Sequence, residues 1–174
     1  MSTKFIADPS HSEIEFKVKH LMISTVKGKF EKFDVVAEGD DIFSSTITAT
    51  IDTASINTNS TDRDNHLRSA DFFESEKYPQ MIFKSKSFTK KGGDEYTLTG
   101  DLTIKDITKE VVVDVEYGGT MTDPWGNVKH GFSLDTKFNR KDFGLNWNAA
   151  LEAGGVMVSD EVKVHGEIQL LKEA

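Results

Sequence analysis

Residues 13–20 have the sequence Glu-Ile-Glu-Phe-Lys-Val-Lys-His, in which charged and apolar side chains alternate without a break. Successive side chains of an extended strand point to opposite faces, so Ile14, Phe16 and Val18 share one face and the charged residues occupy the other. This stretch therefore predicts a strand with one buried face and one solvated face. The rest of the chain has to supply an apolar neighbour for the buried face.

The same alternation returns along the chain and predicts further strands of this kind. Strands are expected at residues 13–20, 26–38, 46–52, 81–88, 96–104, 111–117, 128–138 and 162–170. In the second of them, Phe33 and Val35 are out of phase with Phe30, and a β-bulge near Glu31-Lys32 would restore the phase by inserting one residue. Most of the chain is therefore expected to form one-faced strands.

One short helix is predicted to interrupt the strands, as an insertion around residues 59–73. The side chain of Asn59 can accept hydrogen bonds from the first amides of a helix over roughly Ser60–Ala70. Pro79 prevents the helix from continuing, because proline lacks the amide hydrogen and clashes with the preceding turn. Because a helix this short cannot cover the apolar faces of all the strands, the strands must largely cover one another.

The one-faced pattern indicates an antiparallel sheet, because parallel strands covered on both sides would be apolar on both faces. A sheet of this size either packs on a second sheet or closes on itself. Closure of about eight strands removes exposed edges and leaves an interior that holds side chains or one ligand. We therefore predict an all-β fold, an eight-stranded antiparallel barrel formed by residues 1–174 as a single domain.

Composition and motifs argue against several classes of function. The net charge of −8 disfavours nucleic acid as a partner, since a phosphate backbone attracts a basic face. Without cysteine the chain has no disulfide, thiolate zinc site or thiol nucleophile, and its five histidines have no short metal-ligand spacing. Neither a glycine-rich phosphate loop nor a serine nucleophile elbow is present, so we predict no enzyme, metal or cofactor.

The N-terminal sequence carries an expectation about location. Residues 1–9 contain no apolar run of signal-peptide length, and no later segment is apolar over the length of a membrane span. We therefore expect a cytoplasmic protein.

Two inward-facing residues have both a structural and a functional interpretation. Counting by twos from Phe132 through Phe138 places Arg140 on the inward face, where its guanidinium must be paired because an isolated buried charge is costly. It either forms an ion pair with Asp142 or another acid at the barrel end, or anchors the polar head of a ligand. His20 is either a core histidine bonded to a backbone carbonyl or a second contact for that head.

The short helix adds three basic or titratable side chains, Arg63, His66 and Arg68. They could form a basic cap over the mouth of a cavity. The alternative is a solvated helix face on which they pair with the aspartates at positions 62, 64 and 71.

The predicted interior is rich in large apolar side chains, which either fill the barrel or line a cavity. If a cavity is present, its walls are apolar and its ligand is a lipid or another apolar molecule. The side chains assigned to such a wall are Phe16, Val18, Phe30, Ile51, Phe83, Leu102, Phe132, Leu134, Phe138, Phe143 and Trp147.

Several motifs, spread in order over nearly the whole chain, carry a family resemblance. They are Asp8-Pro9-Ser10-His11-Ser12, Phe16-Lys17-Val18-Lys19-His20-Leu21, Gly28-Lys29-Phe30, Ser55-Ile56-Asn57-Thr58, Arg63-Asp64-Asn65-His66-Leu67-Arg68-Ser69-Ala70-Asp71-Phe72-Phe73, Tyr78-Pro79, Gly100-Asp101-Leu102-Thr103-Ile104, Arg140-Lys141-Asp142-Phe143-Gly144 and Trp147. With these motifs the chain resembles the YceI-like family of polyisoprenoid-binding proteins.

The resemblance implies a lipocalin-like extended barrel with an elongated apolar tunnel. It also implies ligands with long isoprenoid chains, such as polyprenyl diphosphates and isoprenoid quinones. The family's helix follows the fourth strand, whereas only three clear strands precede it here, so either Ile56-Asn57 or the Phe43–Ser45 region is expected to hold another. We assign the polar head of the ligand to His20, His66 and Arg140. Many relatives are exported behind a signal peptide, which contrasts with the cytoplasmic expectation.

Three functions stay open at this point. The leading hypothesis is non-enzymatic binding, transport or storage of an isoprenoid lipid. The second is an enzyme acting on an apolar substrate, with His20 and Arg140 as proton-transfer and anion-stabilising groups. The third is a structural or stress-related protein with a filled barrel and an apolar patch at Leu21-Met22-Ile23, a segment that equally suits transient membrane contact. A homodimer is compatible with each, although the sequence has no readable interface.

Overall fold

The computed structural model describes residues 3–20, 24–145 and 158–173. The strands in these ranges are β1 (Thr3–Ala7), β2 (Glu13–His20), β3 (Ser24–Phe30), β4 (Phe33–Gly39), β5 (Thr46–Asp52), β6 (Ile56–Asn57), β7 (Gln80–Gly92), β8 (Glu95–Ile104), β9 (Ile107–Thr122), β10 (Val128–Asn139) and β11 (Val158–Lys172). The helix α1 spans Thr61–Arg68. Within the described part of the chain, no helix is both long and apolar enough to cross a membrane.

The strands form one antiparallel sheet that closes into a barrel. Eight strands follow one another around the circuit, in the order β1, β4, β5, β7, β8, β9, β10 and β11, and the last pairs with the first through Ile6 and Leu171. Strands β2, β3 and β6 continue the sheet from the other part of β11. The predicted eight-stranded antiparallel barrel is confirmed, and its one-faced strands bury one another as the alternation required.

Two short irregular segments interrupt the N-terminal part of the sheet, one between β1 and β2 and one between β3 and β4. A 3-10 turn at Pro9–His11 separates β1 from β2, and the Asp8 side chain caps it by accepting from the Ser10 amide at 3.1 Å. The bulge predicted near Glu31-Lys32 is instead a break between β3 and β4. The expected change of phase still occurs there, because Phe30 is buried before the break and Val35 after it.

The helix begins one residue later than its predicted cap implies. Asn59 lies in the left-handed region with φ of 63°, and Ser60 is the capping residue, accepting from the Arg63 amide at 3.4 Å. The buried Asp64 fixes the approach to the helix, since its carboxylate accepts from the Thr58 amide at 2.8 Å and from the Thr58 hydroxyl.

The additional strand expected before the helix is β6, which pairs with β3 through Ile56 and Phe30. The other candidate, the Phe43–Ser45 region, overlaps a 3-10 turn at Ile42–Ser44 instead of a strand. Asp41 caps this turn, accepting from the Phe43 amide at 2.8 Å. The turn places Phe43 over one end of the barrel.

Candidate functional site

A cavity of about 310 Å³ lies inside the barrel and is enclosed by side chains from most of its strands. Among the described residues, all of its lining side chains are apolar except those of Arg63, His66, Thr136 and Arg140. Protein interiors are normally packed without voids much larger than a water molecule. An apolar void of about 150 Å³ already stays dry and accepts a small hydrocarbon. The barrel is therefore not filled by its own side chains.

Most of the side chains that the sequence assigned to the wall do line this cavity. They are Phe16, Val18, Phe30, Ile51, Phe83, Leu102, Phe132, Leu134 and Phe138. Phe143 is fully buried but lies outside this lining, with its ring packed edge-on against Phe138 at a centroid distance of 5.2 Å. Trp147 lies outside the described residues. Contact of any of these side chains with a ligand stays a prediction.

Other lining residues were not assigned from the sequence. Leu98 and Val113 face the cavity from β8 and β9, and their strand parity was a sufficient signal for both. Phe72 and Phe73 also line it, but they follow the helix in an irregular segment. No periodicity could have assigned them to an inner face.

Aromatic side chains cross the barrel at the end that holds the β9–β10 hairpin, called here the Trp125 end. The Phe43 ring stacks on Tyr96 and meets Tyr117 edge-on, with centroid distances of 5.0 and 5.1 Å. It also lies 6.2 Å from Phe88 and 6.4 Å from Phe132. Because Phe43 belongs to the β4–β5 connection and its partners belong to β7 through β10, this cluster spans the lumen and closes the cavity at that end.

The opposite end, called here the Arg140 end, holds the polar part of the lining. The strands are antiparallel and their registers carry only local shifts, in the β7–β8 and β9–β10 pairs, so the end of β5 at Asp52, the start of β9 at Ile107 and the end of β10 at Asn139 lie together. Arg140 follows β10, and α1 follows the short β6 after β5. The cavity is therefore apolar at the Trp125 end and carries its cationic groups at the Arg140 end.

Arg140 is buried, with 3% of its surface exposed, and most of its donors bond to backbone carbonyls. Nη1 donates to Leu145 O at 2.5 Å, Nε to Ser159 O at 2.9 Å and Nη2 to Val158 O at 3.3 Å. Of the predicted acids, Asp142 or another at the barrel end, the one beside it is Asp160, with 3.9 Å between Nη2 and Oδ1. Burial lowers the pKa of Arg140, and the Asp160 charge opposes this effect. The guanidinium thus has a structural role at the barrel end.

Arg63 and His66 bring the helix into the lining of the cavity. Arg63 Nε donates to the Thr58 hydroxyl at 2.8 Å, and Nη2 donates to Thr58 O at 2.7 Å. His66 Nε2 lies 2.8 Å from Asp71 Oδ2, and its ring meets Phe72 edge-on. Of the predicted pairings with aspartates, the described residues show that of His66 with Asp71, whereas Arg63 bonds to Thr58. A role of these side chains as a cap over a ligand stays a prediction.

Arg68 does not take part in this cap, since its side chain points back to the segment before the helix. Its Nε donates to Ala54 O at 2.9 Å and its Nη2 to Ile56 O at 3.2 Å. This arginine therefore fixes the helix to the barrel and does not line the cavity.

Two sequence assignments fall where the structure gives no answer. The backbone of His20 pairs with Val158 at the Arg140 end, but its side chain is outside the described part of the structure, so its convergence with Arg140 stays a prediction. The patch at Leu21-Met22-Ile23 lies outside the described residues. Within the described ranges no group of three or more histidine, aspartate or glutamate side chains is arranged to hold a metal ion.

Comparison with known proteins gives consistent relatives over nearly the whole chain. The sequence profile of the YceI-like domain matches residues 5–170. UPF0312 protein SA2479 of Staphylococcus aureus is 46% identical over 164 residues, covering 92% of this chain and 93% of that protein. The crystal structure of the Campylobacter jejuni YCEI protein is 35% identical, covers 91% of each chain and superposes with a TM-score of 0.77.

Two more distant structures share the fold. BcnA of Burkholderia cenocepacia is 24% identical with a TM-score of 0.81, covering 94% of this chain and 98% of its own. A polyisoprenoid binding domain from Saccharophagus degradans is 14% identical with a TM-score of 0.70, covering 97% of this chain and 98% of its own. At these identities the likeness concerns the fold alone.

Proposed function

The chain belongs to the YceI-like family, and on that premise we propose that it binds a long-chain isoprenoid lipid inside the barrel, as a carrier or store. The observation that carries the proposal is the cavity of about 310 Å³, apolar along its walls and cationic at one end. A ligand that matches this distribution has a long hydrocarbon tail and a compact polar head. The polyisoprenoid binding domain from Saccharophagus degradans, which shares the fold, supports the same ligand class.

The apolar wall supplies the affinity in this proposal. Burial of roughly 400 Å² of hydrocarbon at about 25 cal/mol per Å² stabilises a complex by on the order of 10 kcal/mol before the costs of association. The closed aromatic cluster around Phe43 receives the end of the tail. The head then lies at the Arg140 end, where a diphosphate or a quinone carbonyl meets hydrogen-bond donors.

Arg63 is better placed than Arg140 to contact that head. The hydrogen bonds of Arg140 hold the backbone around Leu145 and Ser159. Arg63 lines the cavity, and within the described part of the chain its guanidinium bonds only to Thr58, through Nε and Nη2. Nη1 is therefore left for a ligand oxygen. A charge-assisted bond from a guanidinium favours phosphate or carbonyl oxygens.

Binding fits these contacts better than catalysis does. Two titratable groups of the lining are already engaged with the protein, Arg140 by carbonyls and His66 by Asp71. The enzyme hypothesis depends on a meeting of His20 and Arg140, and no observation favours it. The hypothesis of a filled barrel is opposed by the cavity itself.

The proposal is tested by native mass spectrometry and lipid extraction of protein purified without detergent. We expect the wild-type chain to carry an isoprenoid, or to take one up when it is added. Val113 is buried and lines the cavity, whereas its neighbour Val112 is 55% exposed on the outer face. Val113→Trp should therefore lose the lipid, and Val112→Trp, the matched control, should keep it. A wild-type protein that binds no isoprenoid, or equal binding by the two variants, would overturn the proposal.

A further inference from the structure

Four lysines stand in one row across the outer face of the barrel, on β3, β2, β11 and β10. This lysine row consists of Lys27, Lys17, Lys163 and Lys137. The registers pair Lys17 with Lys27, Lys163 with Lys17, and Lys137 with Lys163. All four side chains are exposed. Three successive cross-strand pairs therefore bring ammonium groups of the same charge together.

Such a row costs stability, because like charges directly opposite each other on neighbouring strands repel. In the described part of the chain, no carboxylate lies within 4.0 Å of any of these four ammonium groups. The acids of the two neighbouring registers are Glu15 and Asp135, both opposite His165, and the exposed Glu161, opposite Asn139. The His165 imidazole engages Asp135 at 2.7 Å. The repulsion within the row is therefore not relieved by ion pairs of the barrel itself.

The lysine row lies close to the Arg140 end. Lys137 is two residues before the end of β10, and Lys17 is three residues before the end of β2. At roughly 3.3 Å per residue these positions are within about 10 Å of the strand ends. The cationic row is thus on the same end of the barrel as the cationic groups of the cavity.

We propose that the lysine row docks the protein on the surface of a bilayer that contains anionic lipids, with the Arg140 end next to the head groups. The inference rests on the proposed lipid-binding function, which requires the protein to meet the membrane that holds its ligand. A chain of net charge −8 is repelled by such a surface as a whole, so a local cationic row is needed for approach and for orientation. Four lysines on neighbouring strands, which lie about 4.8 Å apart, present a line of positive charge to an extended layer of anionic head groups.

The test is flotation of the full chain with phosphatidylcholine vesicles, compared with vesicles that contain phosphatidylglycerol as the only anionic lipid. We expect binding to the anionic vesicles alone, and its loss at about 1 M salt, where charges are screened beyond about 3 Å. Each lysine removed should weaken binding about fivefold, so Lys17→Gln with Lys163→Gln should weaken it by an order of magnitude or more. Lys90→Gln with Lys91→Gln is the matched control, since both lysines are exposed and lie at the β7–β8 hairpin near the Trp125 end.

Several outcomes would overturn the docking proposal. Two of them are equal binding to both kinds of vesicle and equal losses of binding in the two double variants. A third concerns Trp125, which is 83% exposed: loss of binding by Trp125→Ser while the lysine-row variant still binds. Equally strong retention of the wild-type chain by duplex DNA would indicate general attraction to polyanions and would also overturn it.

The same proteins are examined by native mass spectrometry to separate this proposal from the lipid-binding one. A bound isoprenoid without preference for anionic vesicles refutes docking alone. Row-dependent vesicle binding by a protein that never holds an isoprenoid refutes the proposed function and leaves docking supported.

Discussion

Phe43 stacks on Tyr96 with ring centroids 5.0 Å apart and planes inclined by only 16°. This contact joins the β4–β5 connection to β8 and anchors the aromatic cluster that closes the Trp125 end. Phe43→Ala removes the central ring of that cluster, so we expect the free energy of unfolding to fall by about 2–4 kcal/mol. Urea denaturation measures the change, and Phe43→Leu, which keeps most of the apolar volume, should cost about half as much. A loss below about 1 kcal/mol for Phe43→Ala would show that the cluster does not depend on Phe43.

Gly28 lies directly opposite Phe16, whose ring covers the place where a side chain would otherwise start. An added Cβ would collide with the end of that ring and would lie 2.8 Å from Thr58 Cγ2. Because Thr58 is fixed by Asp64, the ring of Phe16 has to move into the cavity that it lines. Gly28→Ala should therefore reduce isoprenoid uptake severalfold and destabilise the fold by about 1–3 kcal/mol.

A titration with an added isoprenoid, monitored by native mass spectrometry, measures this uptake. Gly92→Ala is the control, because an added Cβ there meets nothing within 4 Å. Unchanged uptake by Gly28→Ala would indicate that Phe16 moves away from the lumen instead.

The sequence was sufficient to predict the barrel because its signal is local and repeated. Val111, Val113 and Val115 are buried and Val112 is exposed, as the alternation along β9 requires. Strand β1 was missed, because five residues beside a proline turn show too little alternation to stand out. Yet β1 closes the barrel, and it does so by pairing with β11 at the far end of the chain.

The candidate site was predictable only where strand parity applies. The wall positions on regular strands follow from parity, as for Phe83 and Leu102. Phe43 and Phe143 depend on 3-10 turns, in which neither side-chain direction nor depth follows a period of two. For Arg140 the sequence left open an ion pair within the protein or a contact with the ligand head, and its main partners are backbone carbonyls distant in sequence, which no spacing reveals.

Those carbonyls make Arg140 a structural residue whose loss should be costly. Arg140→Gln cannot reach Leu145 O, Ser159 O and Val158 O together, and hydrogen bonds from a buried charged group contribute strongly. We expect the free energy of unfolding to fall by about 3 kcal/mol, measured by urea denaturation. Arg140→Lys should recover only part of this, because an ammonium lacks the planar fork. The exposed Lys141, 3.4 Å from Asp160, is the control, and Lys141→Gln should change stability by less than about 0.5 kcal/mol. Equal effects at the two positions would contradict the structural role of Arg140.

His165 on β11 gives the stability of the barrel a dependence on pH with a defined sign. Its Nδ1 lies 2.7 Å from Asp135 and its Nε2 lies 2.8 Å from Glu167, and these carboxylates raise the pKa of His165 above its usual value of 6.5. A raised pKa means that the folded state binds the proton more tightly than the unfolded state does. The resulting stabilisation is complete below the usual pKa and is lost as the pH rises through the folded pKa. The side chain is about one third exposed, so the effect should stay below about 1 kcal/mol.

The measurement compares urea denaturation of the wild-type chain and His165→Gln at about pH 6 and pH 8, on either side of the usual histidine pKa. Glutamine keeps hydrogen-bonding capacity at this position but does not titrate, so the advantage of the wild-type chain should shrink toward the higher pH. A proton NMR titration of His165 locates the folded pKa independently. If the stability advantage of the wild-type chain over His165→Gln grew with pH, folding would favour the neutral imidazole. The two carboxylates could not then be the main cause of the shift in the pKa of His165.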